Sequence, residues 1–279
     1  NDSKIIVNEN KTESVVKHKI KILCNWTDTN KIHQTWKKLI GNNPIEYCED
    51  DPDYWVIINK PPNNSVFDRE KTIVLGMEPD TFCGERWSWY ENKENFLYFM
   101  DENYRSNTEW WLNNDLLELE NMIPDKTKDI VVSSIVSSEY KFEGHKLRID
   151  FLKEAEKELD FDIYGWDNNH NFTNYNGKLE NGKNDGLFPY KYTFIAENVS
   201  RNNFCTEKFT DAILSECLIF YWGCPNIDDF YDPLCYIKLD LYNITGSIRK
   251  IRQSVMSNQW EKRIGVIRDM KYKILNKYS

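Results

Sequence analysis

The sequence predicts two α/β domains, each built on a parallel sheet, with a cleft between them. Short apolar runs alternate with stretches patterned as helices, which is how βα units read. The series breaks near Met122–Asp129 and then begins again. The length of 279 residues suits one large domain or two ordinary ones, and 10 Trp with 14% aromatics supply enough apolar bulk for sizeable cores.

Taken in order, residues 1–18 are polar and read as a tail or linker. KIKILCNW (Lys19–Trp26) is the first strand, followed by a helix through HQTWKKLI. YWVIIN (Tyr54–Asn59) and KTIVLGME (Lys71–Glu78) are further strands, separated by Pro, Asn and Asp. This N-terminal unit is expected to span 19–125, with MIPDKTKD as the hinge. The second unit, 126–262, opens on the strand DIVVSSIVSS. Its first helix, KLRIDFLKEAEKEL, places Leu147, Phe151, Ala155 and Leu159 on one face. The strands FDIYGW and YTFIAEN follow, then a helix from Thr206 and the strand LIFYWG. The polar run Asp167–Gly186 reads as a loop or insertion. Residues 263–279 read as a basic C-terminal helix that could pack back on the first domain.

Composition narrows the function. A net charge of −9 weighs against nucleic-acid binding, which needs a basic face, but is compatible with a local basic pocket for one small anion. No apolar run approaches the ~20 residues that span a bilayer, and the N-terminus lacks the apolar centre of a signal peptide. The sequence does not open on Met and is read as an excised piece. It is therefore expected to be cytoplasmic, or a soluble fragment of a parent anchored elsewhere. The 7 cysteines are odd in number and form no CxxC pair, which reads as reduced, buried thiols. The sequons at Asn25, Asn171 and Asn198 are expected by chance in so Asn-rich a chain. Between Ser247 and Ser279 nine Lys/Arg face only Glu261 and Asp269. They read as solvated helix faces or as a peripheral contact with an anionic membrane surface.

The candidate site lies in FIAENVSRNNFCTEKFTDAILSECLIFYWGCP, Phe194–Pro225. Thr206 suits a helix N-cap, and Phe209, Ala212 and Ile213 would face the sheet. Lys208 in the first turn opposes the helix dipole, at a cost of a few tenths of a kcal/mol unless a negative group compensates. A phosphate or diphosphate would do so, and Glu207 could accept hydrogen bonds from sugar hydroxyls. The alternative is that Glu207 and Lys208 form a solvated pair. Asp160-Phe161-Asp162 imitates an Asp-x-Asp metal motif but fits a strand end, so no metal ligand is expected there. His145, three residues before Arg148, reads as a solvated loop histidine.

The same segment resembles the donor-binding signature of the α-1,3/4-fucosyltransferases, glycosyltransferase family 10. The pattern is an apolar strand, Glu197-Asn198, a polar loop, Phe204-Cys205-Thr206-Glu207-Lys208, a helix, and a strand ending at Phe220-Tyr221-Trp222-Gly223. TIVLGMEP places Glu78-Pro79 where the family carries its catalytic base. GHKLRIDFLKEAEKEL followed by FDIYGW resembles the opening of its second domain and puts Arg148 on the phosphate-binding arginine. With CNW on the first strand, the resemblance spans most of 19–240.

The resemblance implies a GT-B-type fold and an inverting transfer of fucose from GDP-fucose to a hydroxyl of a glycan or glycoconjugate acceptor. It implies Glu78 as base and Arg148, Asn198, Phe204, Glu207, Lys208 and Glu197 at the donor, with no cofactor required. Two positions depart from the family: Ala196 replaces its Phe, and Phe204 replaces a Tyr. Another nucleotide deoxysugar therefore stays open as donor, as does a sugar- or nucleotide-binding module without turnover.

Overall fold

The computed structural model describes residues 17–25, 27–40, 45–76, 89–90, 92–100 and 109–278, and the partners named below are among these. The first sheet comprises β1 (His18–Cys24), followed by helix α1 (Thr29–Ile40), then β2 (Ile45–Tyr47), β3 (Tyr54–Ile58), β4 (Thr72–Leu75) and β5 (Tyr98–Met100). All five strands run parallel in the order β2-β1-β3-β4-β5. Alternation explains why the central strands read as continuous apolar runs. Ile20, Ile22, Cys24, Val56 and Ile58 pack with Ile32 of α1 on one face. Leu23, Ile57 and Val74 pack with Phe96 on the other, so both faces are covered, as parallel sheets require. The edge strands β2 and β5 did not register as strands in the sequence. They have three residues each, and Ile45 and Tyr98 are exposed.

The second unit contains α2 (Leu116–Asn121), β6 (Lys128–Val136), α3 (Glu143–Ala155), β7 (Phe161–Gly165), α4 (Lys183–Leu187) and β8 (Tyr190–Ala196). It continues through α5 (Glu207–Leu214), β9 (Leu218–Trp222), β10 (Tyr236–Lys238), α6 (Ile244–Met256) and α7 (Gln259–Lys273), and ends in a π-helical turn over Ile274–Tyr278. Its strands are also all parallel, in the order β10-β9-β8-β6-β7. Numbered from its own first strand, this is again 2-1-3-4-5. Two successive units with one strand permutation constitute the GT-B arrangement expected above.

Several expectations change in this unit. The second core takes in Trp110, Leu112 and Leu119, upstream of the expected division. The stretch read as a hinge is fastened to the second sheet: Lys126 Nζ donates to the carbonyls of Leu187, Tyr190 and Ser215 at 3.3, 2.7 and 2.5 Å. Helix α3 buries Arg148, Ile149, Phe151, Leu152 and Ala155, whereas Leu147 and Leu159 are only partly covered. Strict four-residue spacing drifts off a 3.6-residue turn, which is why the sequence placed the face slightly wrong. The polar run 167–186 is a pinned excursion. Glu156 accepts the backbone N–H groups of Thr173 and Asn174, Tyr175 bridges to Ile163, and α4 begins at Lys183.

The C-terminal helix belongs to the second unit. Ile267, Met270, Ile274 and Leu275 enter its core. Arg268 and Lys271 converge on buried Glu216 at 2.8 and 3.0 Å, and Arg252 meets Glu158 at 2.7 Å. Two of the nine basic residues thus serve one buried carboxylate, while the Arg252–Glu158 pair is exposed. Among the described residues no helix is long and apolar enough to cross a membrane. Of the six described cysteines all but Cys48 are buried.

Candidate functional site

Ligands of doubly wound sheets bind beyond the carboxyl ends of the strands, where the strand order reverses. In the second sheet that point lies between β6 and β8, and a cavity of about 520 Å³ opens there. Ile135 and Val136 close β6 against it, and Ala196 and Asn198 do so for β8. Helix α3 contributes His145 and Arg148, and the first turns of α5 contribute Glu207, Lys208 and Asp211.

Close approach of α3 to the end of β8 builds the near wall. The Gly144 N–H donates to the Asn198 carbonyl at 3.0 Å. A Cβ on Gly144 would lie 2.1 Å from the Glu197 carbonyl oxygen, so only glycine fits. This contact carries Arg148 beneath Ala196, whose carbonyl accepts from Arg148 Nη1 at 2.8 Å. Arg148 is 3% exposed, its Nε has no hydrogen-bond partner, and no described carboxylate forms an ion pair with it. Burial pushes its guanidinium down to about 10, against a weaker upward pull from Glu197.

His145 corrects the sequence reading. It is 4% exposed and sits in the first turn of α3, with Nε2 2.9 Å from Asn198 Oδ1 and Nδ1 unpartnered. Because the Asn198 oxygen can only accept, the Nε2 tautomer carries the proton. Burial, reinforced by Arg148, lowers this imidazole to about 4 and keeps it neutral.

At the start of α5 the sequence expectation also changes. Thr206 is the N-cap residue, but its hydroxyl does not cap. It donates instead to Glu197, which is fully buried and also accepts the Thr206 N–H at 2.9 Å. Lys208 Nζ lies 2.9 Å from Thr206 Oγ1, 3.4 Å from Glu197 Oε2 and 3.8 Å from Glu207 Oε1. Internal carboxylates therefore provide compensation that the sequence reading assigned to a phosphate. Burial lowers the Lys208 ammonium, but Glu207 and Glu197 outweigh it and raise the group above its ordinary value.

Glu207 lines the cavity as half of a lysine-bridged carboxylate pair. Lys183 Nζ is 3.1 Å from Glu207 Oε1 and 2.5 Å from Asp211 Oδ2, while Asp211 Oδ1 accepts the Trp111 N–H at 2.6 Å. Burial would raise the Glu207 carboxyl, yet Lys183 and Lys208 hold it at about 2. At Asp211 burial prevails over Lys183 and pushes the carboxyl up to about 6.

Of the expected residues, the fold brings Arg148, Asn198, Glu207 and Lys208 onto one cavity. Glu197 and Phe204 do not line it: Glu197 anchors the loop behind it and Phe204 is 4% exposed. Glu78 lies outside the described residues. His145, Lys183 and Asp211 were missed. Asp211 was legible as the residue one turn beyond Glu207, but Lys183 gave no signal within its polar run. The Asp-x-Asp imitation is a strand feature, with Asp162 accepting from Tyr190 at 2.6 Å and lying 3.4 Å from Lys128. No cluster of three or more His, Cys, Asp or Glu suited to a metal occurs among the described residues.

No family model matches the chain. The Alpha-(1,3)-fucosyltransferase FucT of Helicobacter pylori is 31% identical over 83 residues, a stretch covering 29% of this chain and 17% of that protein's length. A crystal structure of an α1,3-fucosyltransferase superposes with a TM-score of 0.52 at 15% identity, covering 94% of this chain and 91% of the other. One with GDP-fucose gives 0.53 at 16% identity, covering 98% and 94%. This chain is similar in sequence to one fucosyltransferase over a limited stretch and shares the fold of solved ones over nearly its whole described length.

Proposed function

We propose that the chain is a glycosyltransferase that moves fucose from GDP-fucose to a hydroxyl of a glycan or glycoconjugate acceptor, with inversion at the anomeric carbon. The observation that carries this reading is Arg148: a buried guanidinium with no carboxylate partner among the described residues, facing a cavity at the strand switch point. A buried charge without a partner is costly, and an anionic ligand repays that cost. The similarity to fucosyltransferases supports the choice of donor.

In this reading Arg148 and Lys208 stabilise the negative charge that grows on the departing diphosphate. Glu207 accepts hydrogen bonds from donor hydroxyls, Asn198 orients the near wall through His145, and Glu197 and Phe204 hold the loop behind the pocket. The acceptor oxygen attacks the anomeric carbon from the face opposite the diphosphate. A carbon–oxygen bond forms, the bond to the β-phosphate oxygen breaks with its electron pair, and Glu78 takes the acceptor's proton. General-base assistance of this kind contributes about 10²–10⁴-fold.

A thermal-shift titration with GDP, GDP-fucose, GDP-mannose, UDP-GlcNAc and dTDP-rhamnose, on wild type and Lys208→Ala, tests the donor. A ligand at about 100 times its Kd adds about 2.7 kcal/mol. Stabilisation by GDP and GDP-fucose that Lys208→Ala abolishes supports the reading, and a glycan array then identifies the acceptor. Preference for another deoxysugar nucleotide would change the donor. Tight binding without transfer to any acceptor would indicate a binding module. Indifference to all guanine nucleotides would refute the proposal.

A further inference from the structure

The polar run between β7 and β8 sends one side chain into the cavity, and that side chain is not solvated. Lys183 stands between two carboxylates of α5, Glu207 and Asp211, which are one helical turn apart and so project from the same face. Two anions this close in a water-poor pocket repel, and without a cation between them the more mobile one turns away. Asp211 cannot turn, because it is fully buried and its other oxygen holds the Trp111 N–H. Both carboxylates line the cavity, but Glu207 is the one with side-chain exposure, 23% against 0%. Lys183 at 3.1 Å is the nearer of its two cations, Lys208 standing at 3.8 Å, so its direction depends chiefly on Lys183.

The lysine is itself held from outside the helix. Asn113 N–H donates to Asn184 Oδ1 at 3.0 Å, Asn113 Nδ2 donates to the Asn181 carbonyl at 2.6 Å, and Asn184 Nδ2 donates to Asn114 Oδ1 at 2.7 Å. Gly182, at φ +65, brings the chain against Asn113 immediately before Lys183. The segment before α2 therefore clamps the start of α4, and the same segment pins Asp211 through Trp111.

We infer that Lys183, seated on Asp211, is a positioning residue that aims the Glu207 carboxylate at the hydroxyl groups of the bound nucleotide sugar. This rests on the donor-site reading above and adds to it a lysine that the fucosyltransferase resemblance does not supply. Lys183 acts through Glu207 and carries no part of the bond exchange.

The test compares GDP-fucose binding by calorimetry, and unfolding by urea, for wild type, Lys183→Gln and the double variant Lys183→Met/Asp211→Asn. The double variant removes one positive and one negative charge together and keeps a carbonyl oxygen for Trp111. Expected are an unfolding midpoint close to wild type and GDP-fucose affinity about 10- to 100-fold weaker, the effect of losing one charge-assisted hydrogen-bond geometry. A second readout separates positioning from mere packing. Without the ammonium, Glu207 keeps only Lys208 as a cation and takes up a proton at higher pH. Both variants therefore gain an acid limb in binding beyond any that Asp211, pushed up to about 6, gives wild type. The double variant, whose Asp211 carboxyl is gone, assigns that limb to Glu207. Wild-type affinity with no added acid limb in either folded variant overturns the inference while leaving the donor site standing. A wild type that does not bind GDP-fucose overturns the donor-site reading, and the inference with it.

Discussion

Arg148→Met separates the proposed ligand role from any structural one, because the two predict opposite outcomes. In the unliganded protein the guanidinium is 3% exposed, and burial holds it down to about 10. Its folded value lies below its unfolded value, so at neutral pH the folded state pays to keep it charged. By linkage this amounts to about 3 kcal/mol. Methionine removes that cost at similar length, but it leaves the Ala196 carbonyl without its 2.8 Å donor, a loss of about 1–3 kcal/mol. The balance is a gain of about 0–2 kcal/mol, or a melting temperature from unchanged to several degrees higher. Affinity for GDP should move the other way, falling at least ~100-fold as a buried charge-assisted contact is lost. Scanning fluorimetry without ligand and calorimetric titration with GDP measure the two effects separately. A variant that loses several kcal/mol of stability, or keeps wild-type GDP affinity, would refute the assignment of Arg148 as a buried cation that receives an anionic ligand.

Further predictions concern the walls of the cavity. Gly144→Ala places a Cβ 2.1 Å from the Glu197 carbonyl oxygen and 2.6 Å from the Asn198 carbonyl carbon, so α3 must shift. Urea unfolding should show a loss of about 3 kcal/mol, with GDP binding weakened as Arg148 moves. Glu197→Gln turns an amide toward Thr206 or Lys208 in a fully buried position, and equilibrium unfolding should show a cost of about 2–4 kcal/mol. His145 is held at about 4, below the ordinary 6.5, so its stabilising contribution is complete above 6.5 and is lost as pH falls through 4. His145→Gln should keep stability at neutral pH within about 1 kcal/mol and remove up to about 3 kcal/mol of the acid-induced loss, measured by unfolding across that range.

How much of this was legible follows from where the chemistry is encoded. The central strands were readable because burial on both faces leaves unbroken apolar runs such as YWVII and LIFYW. Edge strands β2 and β5 were not, since three residues with solvent on one side carry no periodicity. The α5 start was readable from Thr206 and the residues behind it. His145 was misread because a histidine's neighbours in sequence do not reveal a backbone approach made by Gly144 and Asn198. Lys183 was missed because a polar run looks the same whether it is solvated or clamped by Asn113.

By itself, the sequence determined that the chain alternates strands and helices in two series, a local matter of periodicity and turn residues. That Arg148, Asn198, Glu207 and Lys208 belong to a donor-like pattern was implied by the resemblance to fucosyltransferases. Tertiary structure decided which charges are compensated. Lys208 finds Glu197 and Lys183 finds Asp211, while Arg148 is buried with no described carboxylate paired to it. Compensation depends on distance in space and on exclusion of water, and residues 11 and 28 positions apart in sequence acquire both only in the folded chain.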